Sequence, residues 1–100
     1  MTQYLIATSV LETIVRGAVE SDQRVRIHTP PPLVRTRPVD ITVNGQQCLV
    51  MLQVDARMGE NFPSLAASLR RSIAGAVASM TGLEVVSVDV SFDGVFPVGV

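Results

Sequence analysis

Hydrophobic residues near the start of the chain recur at helical spacing. Leu11, Ile14, Val15, Ala18 and Val19 share one side of a 3.6-residue repeat, and Glu12, Thr13, Arg16 and Glu20 share the other. This predicts a helix over residues 9 to about 22. Ser9 and Glu12 have the S-x-x-E spacing of a capping box, which would satisfy free amide donors at the helix start. Gly17 falls inside the repeat at a cost of about 1 kcal/mol relative to Ala, which the close approach of a neighbour would explain. Tyr4, Leu5 and Ile6 just before it predict a short edge strand.

The period then changes to two. Val25, Ile27 and Thr29 point one way, and Arg24, Arg26 and His28 the other. Pro30, Pro31 and Pro32 end this strand, because proline lacks the ladder donor, and residues 29–38 read as an exposed loop. Residues 39 to 54 predict a hairpin turning at Asn44 and Gly45, two residues that tolerate positive φ. Val39, Ile41 and Val43 share a face of its first strand. Cys48, Val50, Leu52 and Val54 share a face of its second, with Leu49, Met51, Gln53 and Asp55 opposite.

A second helix is predicted from about 63 to 81. Asn61 or Phe62 caps it, Pro63 suits its first turn, and Gly82 suits a left-handed stop. Its apolar stripe is Leu65, Leu69, Ile73, Ala76, Val77 and Met80. Val86, Val88, Val90 and Phe92 alternate with Ser87, Asp89 and Ser91 in a last strand that Asp93 and Gly94 end, leaving an apolar tail over residues 95–100. Two one-faced helices and several one-faced strands predict an α+β two-layer sandwich. Both helices cover one face of a mostly antiparallel sheet of three to four strands. The last strand follows a helical crossover, which allows it to lie parallel to the 48–54 strand, with a right-handed connection.

The chain has 100 residues, enough for one domain spanning residues 1–100 with its own core. Hydrophobic residues make up 47% and charged residues 17%, which excludes a disordered chain. No basic stretch precedes an apolar one at the start, and nowhere do about 18 apolar residues run together, so a cytoplasmic location is expected. A single cysteine excludes an internal disulfide and a cysteine-based zinc cage. The net charge of −1 argues against a strongly electrostatic nucleic-acid binder.

Chemistry is sparse. Cys48 lies on an apolar strand face and should be buried and inert. His28 is the only imidazole, and nothing places it beside Cys48. Asp40, Asp55 and Asp89 are expected on the outer sheet face, as solvated positions rather than a carboxylate pair. The glycines form no phosphate-binding loop, and no metal-ligand spacing occurs. No enzyme activity, cofactor or metal is therefore expected. Arg24, Arg26, Arg35 and Arg37 form a candidate edge for an anionic partner, which keeps a small nucleic-acid-binding module as the alternative function.

Leu49 and Met51 place two large apolar groups on an otherwise polar sheet face. With Phe96 and Val98 of the tail they make a candidate interaction surface. The competing arrangement has the Pro-rich loop (Leu33, Val34) or the tail itself folded over Leu49 and Met51.

The second half also carries a family pattern. Asn61-Phe62-Pro63-Ser64-Leu65 opens the helix, which runs into Thr81-Gly82-Leu83-Glu84-Val85-Val86-Ser87-Val88-Asp89-Val90. This resembles the alkaline shock protein family, the envelope stress response or general-stress proteins of Gram-positive bacteria. Ile6-Ala7-Thr8-Ser9-Val10 leading into the first helix is similar to the family's opening, so the resemblance covers roughly residues 4–95. Arg24 stands where members often have Gly, the Pro-rich segment is private to this chain, and the charged tails of many members are missing. The resemblance implies a non-enzymatic protein of cell-envelope homeostasis. It acts by self-association, as a homo-oligomer, or by docking on a partner protein. A membrane-anchored partner would recruit it to the inner face of the membrane. The resemblance supplies no catalytic residue.

Overall fold

A computed structural model of the protein describes residues 6–33 and 37–98. Six elements follow in order: α1 (Thr8–Glu20), β1 (Val25–Ile27), β2 (Val39–Asn44), β3 (Gln47–Arg57), α2 (Phe62–Thr81) and β4 (Glu84–Phe96). Tyr4 and Leu5 of the predicted first strand lie outside the described residues, and Ile6 packs against the core without regular structure.

The sheet is built around β3. β2 pairs antiparallel with it from Val39↔Leu52 to Asn44↔Gln47, and β1 pairs antiparallel with it from Val25↔Ala56 to Ile27↔Val54. These registers occupy successive stretches of β3, so β1 and β2 lie end to end along one of its edges. β4 runs parallel to β3 along the other edge, as the helical crossover allows. Cys48, Val50, Leu52, Val54 and Ala56 of β3 are buried beneath the helices with Leu11, Val15 and Val19 of α1 and Leu65, Leu69, Ile73 and Val77 of α2. The molecule's smallest extent, 19 Å, is that of one helix layer on one sheet layer. The two-layer α+β sandwich is as expected.

Several local features differ from the pattern reading. Ala7, not Ser9, caps α1, and no side chain assists it. Ser9 is already helical, so the capping box does not form, and Glu12 instead reaches Arg37 at 3.5 Å. Gly17 is exposed, and a Cβ there would meet nothing within 4 Å, so no neighbour's close approach requires it. The hairpin turn is shifted by one residue. Gly45 has φ +63 and, among the described residues, no non-glycine residue has positive φ, so Gly45 and Gln46 are its central pair. Glycine at the first central position is the type II′ pattern. α2 matches its signals: Asn61 Oδ1 accepts from the Ser64 N–H at 3.0 Å, and Gly82 closes the helix at φ 77. Met80, however, is 71% exposed. It lies in the last turn, and no helix residue after Val77 is buried, so the stripe runs on past the core.

β4 departs most. It does not end at Asp93 and Gly94 but continues to Phe96. Two bulges carry it along β3: Cys48 and Leu49 face Val85 and Ser87, leaving Val86 extra, and Val54 and Asp55 face Phe92 and Gly94, leaving Asp93 extra. The first bulge turns Val86 outward, 45% exposed, and gives its core position to Val85. The second absorbs the Asp-Gly signal inside the strand, so the supposed tail over residues 95–100 begins as sheet.

Candidate functional site

Both helices pack on one face of the sheet, and no described element covers the other. Leu49 is 41% exposed and Met51 58% exposed on that bare face. No described residue of the loop or the tail folds over them: Leu33 is 96% exposed and Val98 66% exposed, while Val34 lies outside the described residues. The ladder places Asp40 on one side of Met51 and Asp89 on the other, and Thr42 and Ser87 beside Leu49. Met51 sits in an open groove of about 630 Å³, lined also by Arg37, Asp40, Gln53, Asp89 and Ser91. An apolar anchor between two carboxylates suits an apolar side chain flanked by cations or hydroxyls.

Phe96 does not belong to this exposed surface. It pairs with Arg57 at the opposite end of β3, is only 8% exposed, and lies beneath the Arg26 guanidinium at 3.9 Å from the ring centroid. Pairing of β4 with β3 sets it there, where a free tail would have left it mobile. Val98 is exposed at that same far end, away from Leu49.

The arginines are largely engaged with neighbours. Arg24 forks onto Asp22, with Nε and Nη2 donating at 2.9 and 2.7 Å. That guanidinium holds the Asp22 carboxyl below the usual range, against the opposing pull of burial. The pair adds stability above the unfolded carboxylate pKa of about 3.9, and loses it as pH falls through the lower folded value. Arg26 covers Phe96, Arg37 reaches Glu12, and Arg35 lies outside the described residues.

Cys48 is fully buried, and burial pushes its thiol pKa up, away from the reactive thiolate. It and His28 belong to opposite faces of the sheet, as expected. What the pattern reading missed is a pair on the outer face: His28 Nδ1 lies 2.7 Å from Asp55 Oδ1. The β1–β3 register makes this contact, and no spacing along the chain announces it. His28 of this pair borders a cleft of about 920 Å³ that also takes in Arg16, Arg26, Arg57 and Phe96. Among the described residues no group of three or more His, Cys, Asp or Glu side chains could hold a metal ion.

Gly94 makes room for Asp55. A Cβ at Gly94 would lie 2.6 Å from Asp55 Oδ1, the same oxygen that meets His28. Gly94→Ala is expected to displace the carboxylate and cost about 1–3 kcal/mol in urea denaturation. Gly75→Ala, where a Cβ meets open space in an exposed helix turn, is expected to raise stability by up to about 1 kcal/mol.

Comparison with known proteins adds one finding. The family model of alkaline shock protein 23, described by a cell envelope-related function, matches residues 34–97. The match takes in β2, β3, α2 and β4, with the groove around Met51, and leaves α1 and β1 outside. No curated protein and no solved structure matches the chain. Among the described residues no helix is long and apolar enough to cross a membrane.

Proposed function

The chain belongs to the alkaline shock protein 23 family, whose function is cell-envelope related, and from that premise we propose that it serves envelope stress homeostasis without catalysis, by presenting its bare sheet face to another protein. That protein is a second copy of this chain or a partner, and a membrane-anchored partner would hold it at the inner face of the membrane. The observation that carries this reading is the exposure of Leu49 and Met51 on the bare sheet face, with Met51 in a groove rimmed by Asp40 and Asp89. Burying the exposed half of each side chain contributes about 1 kcal/mol apiece, enough to shift an association severalfold.

Sedimentation velocity from micromolar to millimolar protein, with affinity recovery from solubilised envelope, tests the proposal. The wild type is expected to self-associate or to retain an envelope protein. Met51→Glu is expected to weaken that association about tenfold or more while the monomer stays folded, because the apolar anchor is replaced by a third carboxylate between Asp40 and Asp89. A wild type that is monomeric throughout and retains nothing contradicts the proposal, as does a Met51→Glu variant that associates unchanged.

A further inference from the structure

β4 is thirteen residues long and pairs with β3 along one side only. Its other edge has no strand partner among the described residues. Backbone groups of a parallel strand alternate in direction, and three hydrogen bonds fix which residues face outward. The Glu84 N–H donates inward to Gln46, and the Phe96 carbonyl accepts from Met58, so Glu84 and Phe96 both face the β3 side. Counting from either end through the two bulges, Val88, Val90 and Phe92 turn their amide groups to the open edge. The Val88 carbonyl agrees: it accepts from Arg70 Nε of α2 at 3.0 Å.

We infer that this edge is where two copies of the chain join, β4 against β4 in antiparallel fashion about a twofold axis at Val90, with Arg70 as a plug that must let go. The inference rests on the self-association reading above and adds a second contact to it: the bare face around Met51 stays open in the pair, so Met51→Glu is expected to leave this edge pairing intact. Between the bulges, the outward residues Val88, Val90 and Phe92 are symmetric about Val90. Val90 then meets its own copy and Val88 meets Phe92, three pairs that exchange about six backbone hydrogen bonds. Side chains select the same register. On the outer face Asp89 falls opposite Ser91, whose hydroxyl donates to Asp93 in the single chain and would turn to Asp89 in the pair. Moving the axis one residue sets Asp89 against Asp89 or against Asp93, like charges directly opposed. The paired sheets continue one bare outer face across both copies. Arg70 occupies the Val88 carbonyl in the single chain, a charged side chain guarding an otherwise open edge.

Four variants of the full chain test this. Val90→Pro removes an N–H that makes no bond within the sheet, so the monomer should fold while association weakens about tenfold or more. Arg70→Ala frees the Val88 carbonyl of both copies and should tighten association about ten- to a hundredfold, the worth of two hydrogen bonds, one per copy, no longer surrendered. Asp89→Cys mixed with Ser91→Cys should form mixed disulfides under mild oxidation faster than either variant alone. Opposed residues of a non-hydrogen-bonded pair lie about 4.5 Å apart at Cα, within disulfide range. The mixture carries the test even if the proline variant fails to fold. Copies that associate as tightly with Pro at position 90, or a mixture that links no faster than its components, overturn the β4 pairing and leave self-association through another surface. A wild type that stays monomeric overturns both.

Discussion

Leu52→Asp unfolds the protein, while Met51→Glu, one position away, leaves it folded. The two side chains leave opposite faces of β3. Leu52 is 2% exposed and opposes Val39 and Val90 under the helices, whereas Met51 is 58% exposed. A carboxylate at position 52 finds no partner, since among the described residues none of the buried side chains is polar or charged. The expected cost exceeds about 4 kcal/mol, close to the whole stability of a domain whose folding free energy is about 5–15 kcal/mol. Far-ultraviolet circular dichroism and urea titration read the contrast. Equal damage at the two positions would mean that the outer face is covered.

Leu69→Ala carries the next largest effect. Leu69 is 1% exposed in the middle of α2, between Leu65 and Ile73 on the same buried stripe. Truncation leaves a cavity among side chains from both layers, at about 2–5 kcal/mol. Met80→Ala, a similar truncation at a position of the same pattern, should change stability by no more than about 0.5 kcal/mol, because Met80 stands past the core. Denaturant midpoints of the two variants therefore measure where the helix stops being supported by the sheet.

Most of the architecture was legible because each element carries one apolar face. The spacing of Leu11, Val15 and Val19, and of Leu65, Leu69, Ile73 and Val77, matches the buried sides of both helices. The alternation from Cys48 to Val54 matches the buried side of β3. The outward placement of Leu49 and Met51 followed from the same alternation, and among the described residues neither Leu33 of the loop nor Val98 of the tail covers them. What escaped the pattern depends on pairing between strands. A bulge shifts a strand's faces without any change in its composition, so Val85 and Val86 exchange places relative to the simple alternation. The Asp93-Gly94 dipeptide has the composition of a turn, yet the chain uses it as a bulge beside Asp55.

The outer-face cluster was invisible for the same reason. His28 and Asp55 are 27 residues apart along the chain, and only the β1–β3 register brings them together. Arg26 and Phe96 meet across β3 from strands at opposite ends of the sequence. Phe96 consequently moves from the exposed surface to a covered position, and the candidate surface contracts to Leu49 and Met51 with their flanking carboxylates. A pair such as His28 and Asp55 orients an imidazole, but the one cysteine lies on the other side of the sheet.

A photo-crosslinking residue at position 51 in living cells tests most directly the claim that the bare sheet face is the working surface, with position 80 on the exposed end of α2 as the control. The account predicts adducts from position 51 to another copy of the chain or to an envelope protein, and few from position 80. No adduct at 51, or equal labelling at both positions, would contradict it.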